Sequence, residues 1–254
     1  MTHEELSARL KACGIVCGED VPPKLLTYHA MLMDWNTRMD LTAVTEEAEM
    51  MDRHYVDSLM ALTVPGLLPQ TGTLIDVGTG AGFPGLPLAI ALPGVQVTLL
   101  DAQQKRLNFL KAVVGELGLT NVTLVHARAE DGARNPAHRE KYDVAVARAV
   151  ASLPVLAEYL LPYVKVGGKM ICWKGPALMD ELPQGRKAAF LLGGKAQEPI
   201  PVSLPGRDWQ HLLLPITKNA KTARQYPRKA GTPGKQPLGA SAPSGETSAK
   251  SPKK

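Results

Sequence analysis

Thr73-Leu-Ile-Asp-Val-Gly-Thr-Gly-Ala-Gly-Phe-Pro-Gly85 decides the fold. A short apolar run enters a turn with glycine at every second position, Gly78, Gly80 and Gly82, and a helical stretch follows. Glycine has no Cβ, so the backbone turns tightly and lets a ligand approach closely. Further along, Val95-Gln-Val-Thr-Leu-Leu-Asp101 reads as a second strand ending in an acid. That is where a carboxylate accepts hydrogen bonds from ribose hydroxyls. Strand, glycine turn, helix, strand and acid together make the layout of a nucleotide-type cofactor site.

Two cofactors compete for it. Gly80 to Gly85 matches the dinucleotide fingerprint GxGxxG, with Asp101 at the expected distance. Against that reading stands Asp76, two residues before the first glycine. Asp76-Val-Gly-Thr-Gly-Ala-Gly82 resembles motif I of the S-adenosylmethionine (SAM) methyltransferases. A carboxylate there suits the ammonium and sulfonium of SAM and repels a pyrophosphate.

The charge is unevenly spread. Residues 1–215 carry 20 Lys and Arg against 23 Asp and Glu, whereas residues 216–254 carry nine against one. A basic arm on a mildly acidic body suggests a polyanionic partner. Lys221 to Pro233 interleaves cations with Tyr226 and prolines and reads as an ordered contact segment. Gly239 to Lys254 is rich in Ser, Pro, Ala, Gly and Lys and reads as disordered. The three cysteines, Cys13, Cys17 and Cys172, form neither a disulfide framework nor a zinc set, so no metal is expected. No signal peptide or membrane span is evident, and the expectation is a cytoplasmic monomer.

Helical periodicity dominates residues 1–66, with Pro22-Pro23 suited to a helix start and a further helix over 46–62. From residue 73 strands alternate with helices, at about 73–78, 95–101, 122–126, 142–147 and 168–173, with Gly167-Gly168 as a turn before the fifth. Two further strands, 199–204 and 211–217, form a closing hairpin. Alternation predicts an α/β fold with a Rossmann-like parallel sheet covered on both faces. Seven strands, the last antiparallel, is the class I SAM-dependent methyltransferase layout. The expected division is a helical cap (1–66), a SAM-binding domain (67–218), a basic RNA-contacting arm (219–238) and a tail (239–254).

Side chains with chemistry cluster at the strand ends. Arg148 closes the apolar strand Ala145-Val-Ala-Arg148, and a lone cation there needs a partner. The SAM carboxylate or an RNA phosphate is expected to pair it. Lys174 ends the next strand and can hold a phosphate or the target base. Arg128, in His126-Ala-Arg-Ala-Glu-Asp131, flanks the adenine in a SAM fold. Backbone at Ala129 and Glu130 meets the base, and the Glu130 side chain caps the next turn. His54 and Ser58 share a helix and can face the pocket. With Asp57 they mimic a hydrolase triad only superficially, since no nucleophile elbow is present.

Taken together these stretches resemble the RsmG or GidB family of bacterial 16S ribosomal RNA guanine-N7 methyltransferases. The carriers are Trp35 to Thr42, Arg53 to Leu59, Asp76 to Gly85, Leu100 to Leu110, Arg148 to Leu153, Lys174-Gly175 and the arm Lys221 to Pro233. The resemblance implies SAM contacts at Gly78, Phe83, Ala129, Glu130 and Arg148, to which motif physics adds Asp76, Gly80 and Asp101. It implies as target a guanosine in the decoding-region loop of 16S rRNA, in the small subunit or its assembly intermediate. Arg148, Lys174 and His54 are expected to position the reactants, with no general base. Arg128, Lys221, Arg224, Tyr226, Arg228 and Lys229 are expected to bind RNA. Two departures stand out: the family often has Asn where Asp40 stands, and nothing carries over to the extension past Leu238. The alternatives are an NAD-linked oxidoreductase and a non-catalytic RNA-binding protein on a methyltransferase fold.

Overall fold

In the computed structural model, residues 1–44, 46–148 and 150–240 are described. Thr2 starts helix α1 (His3–Ala12): its hydroxyl accepts the Glu5 N–H while the Glu5 carboxylate accepts the Thr2 N–H. Two N–H groups that a helix start leaves free are thus satisfied. Pro22 and Pro23 occupy the first turn of α2 (Val21–Asn36), where a missing N–H costs nothing. A helical run follows, of α3 (Glu47–Met50), a π-helical turn (Met51–Val56), α4 (Asp57–Leu59) and a 3-10 turn (Met60–Thr63).

Alternation then sets in: β1 (Gly72–Val77), α5 (Gly85–Ala91), β2 (Val95–Asp101), α6 (Gln104–Glu116), β3 (Val122–His126), α7 (Ala129–Arg134), β4 (Tyr142–Arg148), α8 (Leu153–Leu160), β5 (Val164–Lys174), α9 (Leu178–Leu191). Three more strands, β6 (Gly194–Ala196), β7 (Ile200–Ser203) and β8 (Gln210–Lys218), precede the short α10 (Thr232–Lys235). The sheet order is β3-β2-β1-β4-β5-β8-β6, with β7 also paired to β8. The first five strands are parallel and β8 runs antiparallel to β5. Parallel strands bring Gly78, Asp101, Arg148 and Lys174 to one edge, where open α/β sheets bind ligands.

Strand periodicity divides the core. Leu74, Val144, Val146, Ile171 and Trp173 face one buried layer with Leu86 and Phe109, and Leu6, Leu10, Tyr28 and Tyr55 from segment 1–66 complete it. Their neighbours Ile75, Val77, Ala145, Ala147 and Cys172 face the other, under α8 and α9.

Three local expectations change. Eight strands replace seven, because the outer edge of β8 is filled by two short pieces, β6 and β7. Gly167-Gly168 lies inside β5, at a register shift between Tyr142 and Val144, rather than before it. A Cβ on Gly168 would stand 2.5 Å from the Asp143 carbonyl, so the close approach of two strands fixes that glycine. The stretch His126 to Asp131, expected as a loop after the third strand, runs into the helix α7 from Ala129. Of the segment expected to be disordered, Gly239 and Ala240 are described, and the Gln184 amide donates to the Leu238 carbonyl at 3.0 Å; residues 241–254 lie outside the described residues.

Candidate functional site

The strand ends enclose a cleft of about 600 Å³. Gly78 and Gly80 form its floor with φ of +75° and +60°, a region costly for other residues. The Asp101 carboxylate holds the turn: Oδ2 accepts the Gly80 N–H at 2.9 Å and Oδ1 the Gln103 N–H at 2.8 Å. Asp101 therefore both shapes the turn and lines the cleft.

Asp76 does not line it. Fully buried behind the turn, its Oδ2 accepts from the Thr79 hydroxyl (2.7 Å) and the Gly85 N–H (2.9 Å). Its Oδ1 is buried without a partner, and burial pushes the carboxyl up to about 6. The expected direct contact with the cationic end of SAM is thus corrected, since a covered side chain acts on a ligand only through the turn and its field. A buried, under-satisfied carboxylate still suits a cationic ligand and disfavours a pyrophosphate. The glycine floor, Asp101 and this charge fit SAM.

One wall is an aromatic stack. Phe83 lies over Tyr28 at 5.3 Å and His54 at 4.9 Å, with the Arg148 guanidinium 5.2 Å from its ring. Arg148 is paired within the protein, which corrects the expectation that a ligand supplies its counter-charge. It donates to Asp57 Oδ2 at 3.0 Å, to the Arg53 carbonyl at 2.8 Å and to His54 Nδ1 at 3.3 Å. The π-helical turn contributes: the Asp57 N–H reaches back to the Asp52 carbonyl, not to Arg53, and the Arg53 carbonyl accepts from Arg148. Because a guanidinium only donates, His54 Nδ1 is the acceptor, so Nε2 carries the proton and donates to the Thr42 hydroxyl at 2.9 Å. Burial, reinforced by Arg148, lowers His54 to about 4, so the ring is neutral at physiological pH. Ser58 is buried and donates to the His54 carbonyl, so it does not face the pocket.

A second cleft, of about 420 Å³, lies beyond His54 and Arg148, which line both. Asp57, Trp173, Lys174 and His211 line the second. Lys174 is neutralised by Glu181 at 2.7 Å and donates to the Ala151 carbonyl, so it is not a free cation awaiting phosphate.

At the other end of the first cleft, Arg128, Ala129, Glu130, Tyr159 and Gly231 form the wall. Glu130 accepts the Gly231 N–H at 2.8 Å, tying down the C-terminal arm instead of capping its own turn. Arg228 pairs bidentately with Glu158, whose carboxylate is fully buried, and donates to the Gln236 carbonyl. That guanidinium is spent on the fold, which corrects its expected RNA role. The Tyr226 ring is half-buried against the core, and its carbonyl accepts from Arg139 at 2.8 Å, so it is no free stacking platform. Lys221, Arg224 and Lys229 are exposed.

A family model described as GidB, rRNA small subunit methyltransferase G, matches residues 22–207. The chain belongs to this family. A relative from Alkaliphilus metalliredigens named ribosomal RNA small subunit methyltransferase G is 53% identical over 85% of this chain and 90% of its own length. One of the same name from Clostridium perfringens is 46% identical over 90% and 96%. Among solved structures, M. jannaschii TYW2 in complex with AdoMet superposes with a TM-score of 0.50 at 14% identity, covering 68% of this chain and 77% of that one. That likeness concerns the fold, a class I methyltransferase sheet.

In this GidB-family chain the expected residues Gly78, Gly80, Phe83, Asp101, Arg128, Ala129, Glu130, His54 and Arg148 meet in the first cleft, and Lys174 borders only the second. Lys221, Arg224, Tyr226 and Lys229 border neither. Sequence reasoning missed Thr42, Tyr159 and Gly231 as lining residues, the bridging role of Asp57, and His211. Asp57 and His211 are 154 positions apart and meet at 2.5 Å; no spacing pattern announces such a pair.

Proposed function

We propose that this chain methylates N7 of a guanosine in the decoding-region loop of 16S ribosomal RNA, in the cytoplasm, on the small subunit or its assembly intermediate, with SAM in the first cleft. The observation that carries this reading is the pair of clefts meeting at His54 and Arg148. One suits a nucleoside cofactor, and the other opens toward solvent beside it. SAM supplies a methyl group on an electrophilic sulfonium. Gly78 and Gly80 admit its backbone-hugging end, and Asp101 has lone pairs left for ribose hydroxyls. Phe83, Tyr28 and Tyr55 pack that side and exclude water.

Guanine N7 has an in-plane lone pair and no proton to lose, so alignment and desolvation carry the rate. The site's chemistry agrees: His54 is neutral, with its proton donated to Thr42, and Arg148 is held rigid by Asp57. Neither is poised as a base. The exposed cations Lys221, Arg224, Lys229 and Arg128 supply phosphate contacts.

Mapping 7-methylguanosine in 16S rRNA from cells with and without this gene tests the reading. A methylated position present only with the gene supports it; identical maps refute it. Titration of the purified protein with SAM and with NAD separates the dinucleotide alternative.

A further inference from the structure

His211 opens onto the second cleft with its side chain 25% exposed, and its Nδ1 stands 2.5 Å from Asp57 Oδ1. The other Asp57 oxygen accepts from Arg148, so one buried carboxylate joins a residue of the cofactor cleft to a residue of the second cleft. An ionised carboxylate only accepts, hence Nδ1 carries the His211 proton, and a neutral imidazole leaves Nε2 as an acceptor. Nε2 has no hydrogen-bond partner among the described residues. The ring is fixed from behind as well: Trp209 lies parallel to it at 6.1 Å, and Arg53 covers Trp209 at 4.0 Å.

The other side chains of this cleft are poorly equipped to accept. Arg53 and Lys174 bring donors, and the Trp173 indole N–H is taken by the Asp57 carbonyl. Each Asp57 oxygen already accepts a hydrogen bond, and His54 Nδ1 faces Arg148. His211 Nε2 is the lining acceptor with no hydrogen bond of its own among the described residues. Guanine presents donors, N1–H and the 2-amino group, beside its O6 acceptor; adenine presents a bare N1 and a 6-amino donor.

Resting on the function proposed above, we infer that the target guanine occupies the second cleft and that His211 Nε2 accepts from its N1–H, where adenine has only a bare acceptor, selecting guanine over adenine. Asp57 positions the ring and fixes the tautomer. A donor-bearing side chain in that place would face the N1–H of guanine instead of matching it.

His211→Asn separates the two possible roles of this residue. The asparagine amide N–H takes the Nδ1 place and still bonds Asp57, but nothing replaces Nε2. Initial rates are measured against the concentration of small subunits from cells lacking the gene, alongside SAM titration and thermal unfolding. For both H211N and H211A, kcat/KM for subunits falls about tenfold, the loss of one hydrogen bond, with the change in KM. SAM affinity and the thermal midpoint of H211N stay at wild type. Wild-type kinetics in H211N, with a defect only in H211A, overturns the inference, because His211 then serves only to satisfy Asp57. Loss of SAM affinity in H211N in proportion to its rate overturns it too. Failure of the wild-type protein to form 7-methylguanosine in these subunits refutes the proposed function itself, and this inference with it.

Discussion

At the scale of single residues, the site depends on how buried charges are satisfied. Asp57 is 1% exposed and holds both Arg148 and His211. Removing one partner of a buried pair leaves the other charged and stranded. Arg148→Ala is expected to lower stability by about 3 kcal/mol, besides abolishing methyl transfer. Adding Asp57→Asn in the same chain should recover most of that stability and none of the activity; denaturant unfolding and a transfer assay check the two separately. His54 and Asp76 give the site a pH signature. The His54 pKa is lowered to about 4 from 6.5, so its contribution is present above 6.5 and lost as pH falls through 4. The Asp76 pKa is raised to about 6 from 3.8, so its contribution is present below 3.8 and lost as pH rises through 6. Between pH 4 and 6 the two oppose each other. Replacing His54 by Gln removes one, and the wild type should gain stability over H54Q by about 2–3 kcal/mol as pH rises from 4 to 6.5. A pH-independent difference between the two proteins contradicts the assignment.

At the scale of elements, what the sequence revealed followed from local rules. The glycine turn, β2 ending at Asp101 and the proline start of α2 each depend on neighbouring residues, and each was legible. The hairpin of β7 and β8 was legible too, but β6 was not, because it is three residues long and exists only by pairing with Lys218, Thr217 and Ile216. Nor was the true partner of Arg148: a lone cation on an apolar strand shows that a counter-charge is needed, not that it comes from a helix 91 positions earlier. The arm is the sharpest case. Its cations read as RNA contacts, yet Arg228 is bound by Glu158, a residue inside α8 that carries no sequence sign of pairing forward by 70 positions. Glu158→Ala should therefore release the arm. Limited proteolysis should cut faster after Arg228 and Lys229, and SAM affinity should fall several-fold, because Tyr159 and Gly231 both line the cofactor cleft. Unaltered cleavage and affinity would show that the remaining ties, Glu130 to Gly231 and Arg139 to Tyr226 among them, hold the arm without Glu158.

For the molecule as a whole, segment 1–66, the sheet and the arm share two continuous buried layers. Lys218 shows how tightly the last strand and the arm are joined: fully buried, lowered to about 8 by desolvation, it donates to the Leu161 carbonyl at 2.7 Å and to the Thr222 hydroxyl. Thr222 in turn donates its N–H to Glu140 at 2.8 Å. Deleting residues 221–254 is therefore expected to weaken SAM binding as well as binding to the ribosomal particle, and to flatten the salt dependence of the latter. Deleting 241–254 alone should leave SAM affinity unchanged, since among the described residues every one that lines the cleft precedes it. Titrations of both truncated proteins at two salt concentrations decide this.

The tie between Glu130 and Gly231 also sets an order of events in the making of the protein. A ribosome produces the strands that carry Gly78, Asp101 and Arg148 well before it reaches Gly231. A nascent chain can thus own a finished sheet while one wall of its cofactor cleft has not been synthesised. The lining contributed by Gly231 belongs only to chains translated to the arm. A chain terminated before Gly231 would lack that wall even where its sheet has folded.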